Sequence, residues 1–175
     1  MQTKRQKGFT LIELMITLVV LVIALSIGVP SFVTWIENNR LNTATRTLAG
    51  AFQLARSEAV SRQTVITIDS GGNWSNGLTM YTDTAAAGNT AFNAGDGDVL
   101  IKDLDYAMDG ITVNSNDNNN FISFSGAGLL NEGLVDNETR VIAICDDRGE
   151  VEGTLITFNR VGRAAISSPP ADCEP

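Results

Sequence analysis

The apolar positions of this chain change rhythm twice. From residue 14 to residue 29 they are continuous except for Thr17, Ser26 and Gly28. Counted from Phe9 to Val29 the segment has 21 residues, about what a helix needs to cross a hydrocarbon core of roughly 30 Å. Lys4, Arg5 and Lys7 precede it and no cation lies within it, which predicts a leader on the cytoplasmic side and the remainder outside. Gly28 and Pro30 are expected to interrupt the helix near the outer face, because proline removes the hydrogen bond to the Ser26 carbonyl and kinks or loosens the turn.

Beyond Pro30 the pattern becomes amphipathic. Phe32, Ile36, Leu41, Ala44, Leu48, Phe52, Ala55 and Ala59 recur at spacings of three, four or five, one stripe facing a core. Arg46, Gln53 and Ser57 fall on the other side, and Glu58 with Arg62 makes an i,i+4 pair in the favourable orientation. One helix over about residues 9–61 is predicted, its first half in a membrane and its second half on a domain.

After Arg62 the helical period is gone. Val65-Ile66-Thr67-Ile68 begins a β-branched strand that Ser70-Gly71-Gly72-Asn73 turns, and Gly77-Leu78-Thr79-Met80-Tyr81 gives the next. Residues 84–98 read as a surface loop. Further strands are expected at 99–104, 110–113, 121–125, 140–145 and 154–159. The predicted fold class is therefore α+β: a long N-terminal helix packed on antiparallel β structure in one or two sheets.

Glu13 is the residue that this pattern leaves unexplained. A carboxylate in hydrocarbon costs roughly 2.5–3.5 kcal/mol or more, so it normally has a partner or a function. No Lys or Arg lies in the apolar run. Cleavage between Gly8 and Phe9 would place a new α-amino group four residues away, able to neutralise Glu13 in the same molecule or in an offset neighbour. Gly8-Phe9-Thr10-Leu11-Ile12-Glu13 resembles the processing site of type IV pilins and type II secretion pseudopilins. That resemblance implies a prepilin peptidase that cuts after Gly8 and methylates Phe9, and a Glu13 that registers the subunit in a growing filament. It also implies that the helix can unwind around Pro30 inside a filament, beside which stands the plainer reading of an interfacial kink. The competing readings of the terminus are a secretory signal peptide, loosely cleavable at Ala24-Leu25-Ser26, and a plain membrane anchor. Gln53-Leu54-Ala55-Arg56-Ser57-Glu58-Ala59-Val60 and the Trp74-x-x-Gly77 pattern are similar to the GspH/FimT branch of the same family.

Charge and cysteine usage narrow the function classes. The net charge is −8, and becomes −11 once the three leader cations are removed, which disfavours phosphate backbones and anionic lipid outside local basic patches. Cys145 and Cys173 are the only cysteines and there is no histidine. In an oxidising compartment the pair reads as one disulfide tethering the C-terminal tail to a strand, with two free thiols as the alternative. No metal set or hydrolytic triad can be assembled, so no cofactor and no enzyme activity are expected. Asp96, Asp98, Asp103, Asp105 and Asp109 lack EF-hand spacing and read as solvated loop carboxylates rather than a calcium site.

Resemblance to FimT-type members raises DNA binding, through a motif similar to Gly-Arg-x-Arg. Here the stretch is Gly162-Arg163-Ala164-Ala165, with Ala165 in place of the second arginine, Arg160 adjacent and Arg148 a further candidate. One lost cation removes a phosphate contact, so an ordinary turn is the favoured reading of Gly162-Arg163, and Arg160 and Arg163 remain candidate DNA contacts.

The resemblance implies four segments: a cleaved leader (1–8), a transmembrane helix (9–30), an amphipathic continuation (31–62) and a periplasmic β-rich domain (63–175). It implies a minor pilin of the FimT/FimU-like kind, single-pass in the bacterial inner membrane, that primes or caps a type IV pilus. The alternatives for the chain are an H-type pseudopilin of a type II secretion system and, less favoured, a DNA-binding minor pilin in natural transformation. Its expected partners are other minor pilins, the major pilin, prepilin peptidase, the inner-membrane assembly platform and membrane lipid.

Overall fold

The computed structural model describes residues 8–84, 91–105, 110–116, 119–131, 139–146 and 153–168. One helix, α1 (Leu11–Arg62), is followed by eight strands: β1 (Ile66–Asp69), β2 (Gly77–Thr82), β3 (Val99–Asp105), β4 (Ile111–Ser115), β5 (Phe121–Phe124), β6 (Arg140–Asp146), β7 (Gly153–Phe158) and β8 (Ala164–Ser167). They form two antiparallel sheets, ordered β3-β2-β1-β5 and β4-β6-β7-β8. The chain divides into two compact units, residues 1–38 and 39–175.

In the first unit the apolar residues of α1 are exposed from Leu11 to Val33, and the segment is long and apolar enough to cross a membrane. The single long helix expected from the sequence is present. The helix runs unbroken through Gly28 and Pro30, because one missing hydrogen bond does not end a helix whose flanking turns are intact. Phe32, expected in the core stripe, is 60% exposed and stacks on Trp35 instead.

In the second unit the stripe holds from Leu41 onward. Leu41, Ala44, Leu48, Phe52, Ala55 and Ala59 are buried with residues of both sheets, including Ile66, Ile122, Ile144 and Phe158. Phe52 is the hinge-pin of this packing, edge-on to Phe158 at 4.9 Å between ring centroids and 6.1 Å from Trp74. Glu58 and Arg62 form the expected ion pair, at 2.7 Å. The helix ends with Gln63 in the left-handed region (φ 55°) and the Thr64 N–H donating to the Ala59 carbonyl, a Schellman-type cap.

Strand ends agree with the sequence reading to within a residue or two except at β8, which follows Gly162-Arg163 where only a turn was expected. Four short residues of low pattern, Ala-Ala-Ile-Ser, carry no alternation that distinguishes a strand from a tail. What makes the strand is the turn before it. Gly162 has φ 71°, its N–H donates to the Asn159 carbonyl, and the Asn159 N–H donates to the Arg163 carbonyl. This is a three-residue hairpin loop closed by a glycine in the left-handed region.

Asp98 is a second correction. It is buried, not a solvated loop carboxylate. Its Oδ1 accepts from the Thr84 N–H and hydroxyl (both 2.9 Å) and its Oδ2 from the Asn93 N–H (3.1 Å). Burial pushes the carboxyl up, but these three donors together hold it below its ordinary value. A depressed native pKa contributes stability above the unfolded value of about 3.9, which is lost as pH falls through the native value. The protection of the Thr84 and Asn93 amides, relative to their intrinsic exchange rates, is therefore expected to fall as the pH drops below the ordinary carboxylate range, and Asp98→Asn is expected to abolish that acid dependence. Asp105 lies in β3 and Asp109 outside the described residues; among the described residues no group of metal-ligating side chains assembles.

Candidate functional site

Two places carry the residues singled out by sequence, one at each end of the chain. At the N-terminus, Gly8, Phe9 and Thr10 precede the helix, and Phe9 is 86% exposed. Thr10 is the N-cap: its Oγ1 accepts from the Glu13 N–H at 3.3 Å. The Glu13 Oε2 reaches back to the Thr10 N–H (3.2 Å) and hydroxyl (3.3 Å). Thr10-Leu11-Ile12-Glu13 is thus a capping box, in which two backbone donors of the first turn are satisfied reciprocally. A plain membrane anchor would leave the cost of a carboxylate in hydrocarbon without an offset unless Glu13 had a partner within the chain. The box is an offset, and the S/T-x-x-E spacing was its missed signal. Glu13 thus has a local structural role beside any it has toward another molecule.

Toward the other end, Arg160 and Arg163 flank the β7–β8 loop and both are exposed. Beneath them is a residue that sequence reasoning placed in a family pattern without a role. Arg56, on the penultimate turns of α1, donates from Nε to the Gly128 carbonyl (2.9 Å) and from Nη2 to the Val161 carbonyl (3.2 Å). It ties the helix, the 125–131 segment and the β7–β8 loop together. The closeness is tight: a Cβ on Gly162 would stand 2.5 Å from the Gly128 carbonyl oxygen. Gly162→Ala is expected to destabilise the domain by about 1–3 kcal/mol, combining the left-handed backbone with this collision, read as a lowered thermal midpoint with the N-terminal helix intact.

Phe52, Val60, Phe124, Phe158, Arg163 and Ala164 line an open groove of about 690 Å³ between α1 and this loop. Cys145 is half-buried on β6, while its expected partner Cys173, like Arg148, lies outside the described residues.

A model of the family described as type II transport protein GspH matches residues 44–162. The prokaryotic N-terminal methylation motif matches residues 3–29, the stretch that contains Gly8, Phe9 and Glu13. Among solved structures the chain is similar to the type IV minor pilin FimU of Pseudomonas aeruginosa strain PAO1 in two crystal forms. The first is 22% identical with a TM-score of 0.60, covering 77% of this chain and 100% of that one. The second is 24% identical with a TM-score of 0.58, covering 80% and 99%. At these identities the likeness establishes a shared fold. No curated protein sequence matches.

Proposed function

The chain belongs to the GspH family of type II transport proteins, and from that premise we propose that it is a minor pilin that primes or caps a type IV pilus. One observation carries the reading: a methylation motif leads directly into an unburied apolar helix that continues as the core helix of a pilin-type β domain. An apolar stripe left bare on a single helix must be covered by lipid or by other helices. A filament of laterally packed helices covers it after the subunit leaves the bilayer.

In this reading prepilin peptidase cuts after Gly8 and methylates Phe9, and Glu13 registers the subunit against a neighbouring amine. Gly28 and Pro30 allow local loosening of the helix, and Cys145 pairs with Cys173. The protein resides in the inner membrane with its β domain in the periplasm until the assembly platform adds it to the filament tip beside other minor pilins. The role is structural, as in its family. The test is a shear fraction. The chain is expected to co-purify with filaments sheared from cells carrying it and to vanish from that fraction when the peptidase is deleted; its retention in the membrane of piliated wild-type cells would contradict the reading.

The H-type pseudopilin is the second reading, and the GspH family description favours it specifically. It is distinguished by a deletion that stops secretion of a periplasmic enzyme while leaving surface pili intact.

A further inference from the structure

The two sheets leave four strand edges, and three of them are dealt with inside the described residues. The free edge of β5 is taken by the 129–131 segment: the Ser125 N–H donates to the Leu129 carbonyl, the Asn131 N–H to the Ser123 carbonyl, and Phe124 bridges Leu130. On the edge strand β4, the Val113 N–H is received by the Ser75 hydroxyl at 3.0 Å. The edge strand β3 carries Lys102 and Asp103, charges of the kind that discourage strand pairing. Among the described residues β8 has no cover, and it carries no charge: its residues are Ala164, Ala165, Ile166 and Ser167, and three of the four are exposed.

The register says what that edge presents. The Asn159 N–H donates to the Arg163 carbonyl, so by antiparallel alternation Thr157–Ala165 and Leu155–Ser167 are the hydrogen-bonded pairs. The N–H and C=O groups of Ala164 and Ile166 point away from β7, and among the described residues nothing meets them. Their side chains lie on the same face as their partners Phe158 and Ile156, which are wholly buried, yet Ile166 is 58% exposed. The inner face of the sheet is thus unfinished at its last strand, beside the groove floored by Phe52, Phe124 and Phe158.

Charge specifies the occupant further. At the start of β8 the Arg163 guanidinium has no partner among the described residues, and Arg56 behind it is bonded only to carbonyls. Uncompensated arginines on a chain of net charge −8 select a carboxylate. We propose that β8 receives an extended segment of a partner chain as an added strand. Its backbone bonds Ala164 and Ile166, an apolar side chain covers Ile166 and enters the groove, and an acidic residue pairs with Arg163. This does not depend on whether the machine is a pilus or a secretion system.

The probe is a fluorescein-labelled peptide of alternating valine and aspartate, titrated by anisotropy against the full chain in detergent at low salt. Ile166→Pro removes one outward N–H without touching the β7 ladder, which an edge strand tolerates. Arg163→Glu reverses the charge on an exposed side chain. Saturable binding to wild type is expected, weakened tenfold or more by either variant, retained by Arg163→Lys, and absent for the same peptide with lysine in place of aspartate. Equal binding to wild type and Arg163→Glu, or no binding to wild type, overturns the proposal. Displacement of the peptide from neither variant nor wild type by excess single-stranded DNA supports it, whereas preferential displacement from wild type marks the arginines as a nucleic-acid site and overturns it.

Discussion

Glu13→Ala and Glu13→Gln are both expected to be cleaved after Gly8 and to fail in assembly. The pair is needed because Glu13 has a structural task in the capping box beside the registration role proposed for it. As the fourth residue of the capping box it satisfies the Thr10 N–H, a contribution on the order of 1 kcal/mol that glutamine at the same place largely keeps. As a charge it would neutralise the Phe9 amine of a neighbour, which glutamine cannot do. Alanine removes both contributions, glutamine only the charge. If registration is the function, both variants lose filament incorporation by a large factor while their mature mass is that of cleaved chain. If helix initiation is all that Glu13 supplies, Glu13→Gln incorporates like wild type and only Glu13→Ala is impaired. Quantifying each variant in the sheared filament fraction, against its cleaved pool in the membrane, separates the two.

The largest effect on stability is expected from Phe52→Ala, at about 3–5 kcal/mol. Phe52 is 1% exposed and touches aromatic rings from both sheets' cores, Trp74 near β2 and Phe158 in β7. Truncation leaves a void bounded by those rings, by Leu48 and by the arginine-tethered loop, none of which can close on it without moving a strand. A loss of that size approaches the whole stability of an ordinary domain. The expected observation is a collapsed urea midpoint and rapid proteolysis of the β domain, with residues 1–38 still retained in the membrane. Phe52→Leu, which refills most of the volume, is expected to cost well under half as much.

These two positions also mark how much was legible in the sequence. Phe52 was readable because an apolar stripe at helical spacing has one physical meaning over several turns, and the turn residues and β-branched runs after Arg62 place the strands almost as directly. Phe32 broke from the stripe because spacing alone does not say where the domain ends and the membrane segment begins. β8 was not readable: Ala164 to Ser167 form a strand only because Gly162 and the Gly128 carbonyl fold the chain back on β7. Asp98 looked solvated because two of its three donors are backbone N–H groups, of Thr84 and Asn93, which leave no sequence signature, and the third, the Thr84 hydroxyl, is brought to it only by the folding of the 84–98 segment. Glu13 was legible as a family position, and its capping box was legible in Thr10 three residues earlier, but the second signal lay under the first.

The most direct test of the central proposal is the intact mass and N-terminal sequence of the membrane-extracted protein. A chain beginning at N-methylated Phe9 is the predicted result, and it fixes peptidase processing and the pilin class together. A terminus near Ile27 would mean removal as a secretory signal and a free β domain, and would contradict the filament account.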